Sequence, residues 1–350
     1  MNNNYTNILI TGGCGFIASN FIRHMFHKYP DYRIVNLDAL TYAGNPDNLK
    51  DIEKASQEEP NSDRYRFIHG NICDRNLLDK IFSKYNFKMV IHFAAETHVD
   101  RSIFNVSDFI ETNINGTRAI IEMVQKYGVP RMVHISTDEV YGDVPQGSSN
   151  ESTLLNPSNP YAASKAAAEM LINAFMKTHQ VPAIVIRGSN NYGSYQYPEK
   201  LIPLSISNLI EEKKIPIHGK GEQIRSWLHV LDFCNAIDLV AHQGRIFEIY
   251  NVSGEERSVL QILELIAANL NMNLESFKSH VNDRPSADSR YAPDSSKLKN
   301  ELYWQPKHSL ESSMGDIVAW YLENRGWWEK IKQTKEYENL YERQSKAKWN

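Results

Sequence analysis

Cysteine is scarce: Cys14, Cys73 and Cys234 are the only three in 350 residues, and no two share a C-x-x-C spacing. That excludes the disulfide framework of small secreted domains and points to a reducing compartment. An excess of one charge sign is also missing. With a net charge of −4, no bulk positive field exists to hold a nucleic-acid backbone or an anionic membrane, so neither partner is expected. No apolar run approaches the about 18 residues of a membrane span. The opening segment MNNNYTNILITGGCGF lacks a basic stretch, and Gly12 and Gly13 cut its apolar run after Ile10. A cytoplasmic location follows as the expectation. His92, His98, His134 and His229 share no metal-ligand spacing and read as core or strand-end residues, so no metal is expected. What is present is ordinary globular usage, 41% apolar and 23% charged, which excludes disorder. The length suits two average domains, or one large α/β unit carrying a lobe.

Short apolar runs recur at Ile8–Thr11, Ile34–Leu37, Tyr65–Ile68, Met89–Phe93, Met132–Ile135 and Ala183–Ile186. They are too short for helices and rich in Ile, Val and Phe, as strands buried on both faces are. Helical patterns lie between them, at Phe16–Lys28, Arg75–Lys84, Asp108–Lys126 and Tyr161–Thr178. Alternation of this kind predicts an α/β fold with a doubly wound parallel sheet. After Arg187 the rhythm breaks at GSNNYGSYQYPEK, which marks the expected start of a smaller second lobe. The division is residues 1–187 for the first domain, with 230–252 returning to it, and 188–350 for the lobe, mainly 188–229 and 253–350. The tail from Asn324 to Asn350, with Trp327, Trp328 and alternating charges, reads as an exposed amphipathic helix or packing arm.

The first strand runs into TGGCGFIAS, where Gly12, Gly15 and Ala18 have the spacing G-x-x-G-x-x-A. Glycines there let the turn be tight and let backbone N–H groups approach a pyrophosphate seated on the helix start. The second strand ends at Asp38, 20 residues beyond Ala18. An acid at that point accepts bonds from the adenosine ribose hydroxyls and repels a 2′-phosphate, so the expected cofactor is NAD rather than NADP.

After the strand MVHIS comes Thr137-Asp138-Glu139, at the carboxyl end where open α/β sheets bind ligands. Downstream, Tyr161 and Lys165 stand at i and i+4 behind Pro160, on one face of a helix. A lysine ammonium beside the phenol is expected to lower the phenol's pKa and make Tyr161 a base. A hydroxyl, two carboxylates, a phenol and an amine in one cleft argue for proton-transfer chemistry and against a non-catalytic binding module.

TGGCGFIAS, LDALTYAGN (37–45), HFAAETHVDRS (92–102), STDEVYG (136–142), YAASK (161–165) and RGSNNYGSYQYPEKLIP (187–203) together resemble the extended short-chain dehydrogenase/reductase superfamily. Within it they are similar to the nucleotide-sugar 4,6-dehydratases. The match runs from about residue 7 to about 330. The resemblance implies a Rossmann-type domain with a discontinuous substrate lobe and an NAD-dependent hydro-lyase. Such an enzyme converts an NDP-hexose, dTDP-glucose first, to its 4-keto-6-deoxy form. UDP-glucose or UDP-GlcNAc is the alternative substrate, and a 4-epimerase the alternative reaction, although the Asp-Glu pair after the threonine is not an epimerase feature.

By the same resemblance Thr137, Asp138, Glu139, Tyr161 and Lys165 are catalytic. Gly12, Gly13, Gly15, Phe16, Ile17, Asp38, Ala39, Leu40, Thr41, Asn71, Ile72, Phe93, Ala94, Ala95, Thr97, Thr112 and Asn191 hold NAD, together with Tyr161 and Lys165. The substrate set is Thr97, Thr137, Asn190, Glu199, Lys200, Leu201, Arg225, Asn251 and Arg284. Arginine suits the diphosphate because its planar fork grips phosphate bidentately. Departures from the family pattern cluster on the nucleotide side, where Ala287 replaces a histidine and Ser226, Ser286 and Ser289 also differ. They leave the base and the group at sugar C2 open. The resemblance further implies a homodimer through a four-helix interface built from 104–126 and 161–178.

Overall fold

Burial on both faces fixes the centre of the molecule. In this computed structural model, which describes residues 5–58 and 63–346, seven strands form one sheet in the order β10-β6-β5-β4-β1-β2-β3. They are β1 (Thr6–Thr11), β2 (Tyr32–Asp38), β3 (Tyr65–His69), β4 (Met89–His92), β5 (Met132–Thr137), β6 (Ala183–Gly188) and β10 (Ile249–Val252). Every pairing is parallel, and Ile8, Leu9, Ile10, Val90, Val133 and Ile184 are sealed from solvent. Helices cover both faces: α1 (Phe16–Lys28), α2 (Lys50–Glu58), α3 (Arg75–Tyr85), α4 (Val99–Phe104), α5 (Ser107–Phe109), α6 (Thr117–Tyr127), α7 (Pro160–His179) and α9 (Val230–Gln243). This is the Rossmann arrangement, with the order reversing between β1 and β4, where a crevice opens at the carboxyl ends of the strands.

The helix expected over Asp108–Lys126 is interrupted: a π-helical segment, Ile110–Gly116, joins α5 to α6. Its Asn113 turns inward, accepting from the Glu96 N–H at 2.8 Å and donating to Ser164 on α7 at 2.8 Å. A widened turn of this kind often marks a functional wall. α7 begins where Pro160 presets φ and Asn159 caps it, its Oδ1 accepting from the Ala162 N–H at 2.9 Å.

The second lobe has its own core, holding Tyr192, Ile206, Ile262, Leu310, Tyr321 and Trp328. Its strands β7 (Asn190–Tyr192), β9 (Ile224–His229) and β11 (Glu255–Ser258) form one small sheet, and β8 (Ile215–His218) pairs with β12 (Lys278–Val281). Around them lie α8 (Leu201–Ile210), α10 (Val259–Asn269), α12 (Leu310–Glu323) and α13 (Arg325–Lys332). Within 230–252, β10 pairs with β6 and α9 shares the core of α1.

Two expectations change. α11 (Ser296–Leu302) was assigned to the second lobe, yet Leu298 and Trp304 are buried in the first core; one leucine and one indole suffice to seat that segment beside β10. Of the two forms expected for the tail, the exposed helix gives way to the packing arm. α13 and α14 (Lys335–Ser345) tie back to the first lobe through Trp327 Nε1, which donates to Asn48 Oδ1 at 2.9 Å, and Arg101 Nη1, which donates to Glu336 at 2.7 Å. Positions 1–4, 59–62 and 347–350 lie outside the described residues, including the ends of both expected domains and of the tail. Among the described residues no helix is long and apolar enough to cross a membrane, and no cluster suited to a metal ion occurs.

Candidate active site

The glycine loop explains its own composition. Gly12 has φ +72°, and a Cβ there would lie 2.7 Å from Ala94 Cα, so only glycine closes this turn against β4. Gly15 caps α1 with no side-chain cap and no acid in the first turn. A Cβ on it would meet only the Gly12 carbonyl oxygen, at 3.2 Å. The helix start is therefore open, and its N–H groups suit a phosphate. Asp38 ends β2 with Oδ2 accepting from the Cys14 N–H at 2.9 Å and Oδ1 from the Leu40 N–H at 2.7 Å. Each oxygen keeps acceptor capacity for a ribose diol.

One cleft brings together Gly12, Gly15, Phe16, Ile17, Asp38, Ala39, Thr41, Asn71, Ile72, Phe93, Ala94, Ala95, Thr97, Thr112, Tyr161, Lys165 and Asn191. Deep in it, Ser189 Oγ and Asn191 Oδ1 are buried without a hydrogen-bond partner. An open helix start, an acid at the second strand and orphaned polar atoms at the far end fit a dinucleotide. Two expected contacts lie off this wall. Gly13 faces inward, donating to Asn36 Oδ1 at 3.0 Å. Leu40, at φ +52°, packs its side chain on the core.

The catalytic candidates gather at the end of β5. Thr137 Oγ1 caps the next turn, accepting from the Glu139 N–H at 3.2 Å, and opposes the rise in pKa of the Tyr161 phenol. Asp138 is 2% exposed, and burial, then the charge of Glu139, push it up to about 8. Burial also raises Glu139, but Asn159 donates to its Oε2 at 3.1 Å, and Arg225, Lys200 and Arg284 oppose the rise. Adjacent carboxylates thus meet different environments, the condition for one to hold a proton while the other does not.

Tyr161 corrects an expectation. Its phenol is pushed up, first by burial and then by Glu139 and Asp138. The Lys165 ammonium is directed to the Ile135 carbonyl at 2.7 Å instead, and burial brings that lysine down to about 8. Desolvation and the two neighbouring acids set the phenol's protonation.

Toward the second lobe, Thr97, Asn190, Glu199 and Lys200 are shared between the cleft and its outer extension, which adds Leu201, Arg225 and Arg284. Asn251 is not among them. It is fully buried, its Oδ1 accepts from Tyr141 at 2.8 Å, and its Nδ2 donates to the Ser149 and Asp294 carbonyls. Its amide is turned to Tyr141, Ser149 and Asp294 and away from both cleft walls. Arg225 donates to the Asp288 carbonyl at 3.0 Å and lies over the Tyr291 ring, and Ala287 and Ser286 border the same extension.

Sequence reasoning missed several residues of the site. Asn159 couples the α7 cap to Glu139, a link whose only sequence trace was an asparagine before the proline. Glu96 lies within HFAAETHVDRS, lines the cleft, and is pushed by burial up to about 7. Ser189 and Gln196 left no signal beyond a polar loop.

The chain matches the family described as GDP-mannose 4,6 dehydratase over residues 9–317, and it belongs to that family. It is similar to a curated dTDP-glucose 4,6-dehydratase of Escherichia coli, 41% identical, with 93% of this chain and 96% of the relative covered. Among solved structures it is similar to the dTDP-glucose 4,6-dehydratase of Bacillus anthracis in complex with NAD, at 43% identity and TM-score 0.85, covering 93% of this chain and 100% of that one. The Streptomyces venezuelae dTDP-glucose 4,6-dehydratase, also solved with NAD, gives 41% identity and TM-score 0.88 at the same coverage.

Proposed function

We infer that this chain is an NAD-dependent hydro-lyase that converts dTDP-glucose to the dTDP-4-keto-6-deoxy sugar and water. The observation that carries the reading is the Asp138–Glu139 pair, the first buried and the second half-buried, split in environment and lining one cleft with Tyr161. An epimerase has no water to expel and no use for such a pair.

NAD, held by the glycine loop and Asp38, would supply the hydride acceptor for C4 and the hydride donor for C6, and its positive charge would favour ionisation of the Tyr161 phenol. Tyr161 receives the proton of the sugar 4-hydroxyl while the Thr137 hydroxyl steadies the oxygen. The 4-ketone so formed acidifies the C5 proton. Glu139, held by Asn159, removes that proton, and Asp138, still protonated near neutrality, gives its own to the 6-hydroxyl, which leaves as water. Glu139 then returns a proton to C5 as C6 regains hydride. Lys165 fixes α7 to β5 through the Ile135 carbonyl and so sets where the phenol stands.

Arg225 and Arg284 are the groups for the diphosphate. The relatives' substrate names support thymidine over uridine. Purified protein incubated with dTDP-glucose, UDP-glucose and UDP-GlcNAc, without added cofactor, should lose water from the first, read by mass; a preference for UDP-GlcNAc would replace the substrate assignment. Val106, Ile110 and Met170 are exposed along the π segment and α7, which supports a homodimer through these helices. Sedimentation as a monomer at micromolar concentration would remove it. Three free cysteines support a cytoplasmic location.

A further inference from the structure

α14 touches the site at two points that the proton chemistry does not use. Its inward face presents Tyr337, Leu340 and Gln344, and the Tyr337 hydroxyl donates to the Pro198 carbonyl at 3.2 Å. Glu336 receives Arg101 Nη1, and Arg101 Nε donates to Glu199 Oε2 at 3.2 Å. Two turns along, Gln344 is 4% exposed, and its Nε2 donates to Asp100 Oδ2 at 2.6 Å. The same nitrogen lies 3.3 Å from His98 Nε2, and burial brings that imidazole down to about 4, so the ring is neutral and can accept. Asp100, fully buried, also holds Arg284, by an ion pair at Nε and by Nη2 at 3.2 Å.

A guanidinium has five N–H donors. While Gln344 fills part of the acceptor capacity of Asp100, Arg284 needs to give only some of its donors to that carboxylate. The rest serve the outer cleft, where Arg284 stands with Glu139, Lys200 and Arg225. We propose that Gln344 is a positioning residue for nucleotide-sugar binding: acting through Asp100, it fixes the guanidinium of Arg284 toward the diphosphate, which makes the C-terminal helix part of the substrate site. The inference rests on the dehydratase reading above. Without the amide N–H, the buried Asp100 Oδ2 is left with the Arg284 Nη2 donor, and the guanidinium is drawn further onto it and away from the cleft. The loss falls on binding, since Thr137, Asp138, Glu139 and Tyr161 are untouched.

Gln344→Met keeps length and volume and removes the donor. The expected result is an about tenfold rise in KM for dTDP-glucose and in the Kd of dTDP by calorimetry, with kcat within about twofold. Gln344→Glu, of the same shape but without a donor when ionised, should raise both at least as much, and it decides the matter should the methionine variant fail to fold. Arg284→Met raises KM by itself, and adding Gln344→Met to it should raise KM no further. Parental KM and Kd in a folded Gln344 variant, or effects that multiply with Arg284→Met, would overturn the proposal. A parent that binds dTDP without dehydrating its sugar overturns the reaction and leaves the binding cycle to judge Gln344; a parent that does neither overturns both.

Discussion

Asp138, at the end of β5, lines the cleft, and Asp100, at the start of α4, reaches it through Arg284; both are closed to solvent, at 2% and 0% exposure. Burial alone would raise both. Asp138 is pushed up to about 8 by burial and then by the carboxylate of Glu139, against the pull of Arg225. Asp100 is held well below the usual carboxylate range by Arg284, by His98 and by the Gln344 amide. Burial sets the cost of a charge, and the neighbours decide whether the group keeps it. At β5 the fold gathers two acids with no cation in contact, and a proton stays available for transfer. At α4 it supplies a cation and an amide, and the aspartate becomes a fixed anchor.

The contrast breaks most sharply if Asp138 is denied its proton. Asp138→Asn and Glu139→Gln are each expected to reduce formation of the 4-keto-6-deoxy product by about 1,000-fold, while oxidation at C4 remains visible as reduced cofactor in a single turnover. Product at the parental rate from either variant would remove the assigned roles. In the parent, dehydration should fall as pH rises through about 8, where Asp138 gives up its proton.

Stability offers a second test, with opposite signs. The folded protein binds the Asp138 proton more tightly than the unfolded chain does. Its contribution is therefore full below the unfolded value near 4 and is lost as pH rises through about 8. Asp138→Asn avoids that loss and should be more stable than the parent at about pH 9, by about 1–3 kcal/mol in urea melts. For Asp100 the folded value is depressed, so its contribution is present above the unfolded value and disappears as pH falls below it. Asp100→Asn should therefore destabilise, by about 1–3 kcal/mol at neutral pH, because Arg284 loses its partner but stays partly exposed. Shifts of the same sign in the two variants would mean that burial, and not the neighbours, governs both sites.

Much of the first lobe could be read from local pattern. The strands are short and apolar because both their faces are covered, and α1 spans Phe16–Lys28 as its periodicity predicts. Motif spacing likewise brought Asp38, Thr137, Tyr161 and Lys165 toward one crevice. The misses share a physical cause: they depend on partners distant in sequence. Asn251 looks like a polar strand-end ligand until Tyr141, Ser149 and Asp294 are seen to consume its amide. Lys165 stands one turn from Tyr161, yet its ammonium goes to β5. The tail reads as an exposed amphipathic helix or a packing arm, and the choice between them rests on Glu336 and Gln344 reaching residues 235 and 244 positions away. No periodicity records such contacts.

Asp38 gives the smallest and most discriminating test, because it is a third buried carboxylate with neither pattern of neighbours. Burial raises it, while the N–H groups of Leu40 and Cys14 lower it; donors from the backbone replace the cation that Asp100 has. Held in this way, the carboxylate has two duties, to tie the glycine loop to the end of β2 and to face the adenosine ribose. Asp38→Ala removes both, and the preference for NAD over NADP should fall about tenfold, measured as a ratio of calorimetric Kd values after cofactor exchange. Asp38→Asn separates the duties. Its carbonyl still accepts one loop N–H, so the loop is partly kept, whereas the negative charge that repels a 2′-phosphate is gone. If discrimination rests on charge, the asparagine variant loses as much preference as the alanine one; if it rests on loop geometry, it retains most of it. An unchanged ratio in both would move the discrimination elsewhere on the cleft wall and leave Asp38 a purely structural acid, the backbone-held counterpart of Asp100.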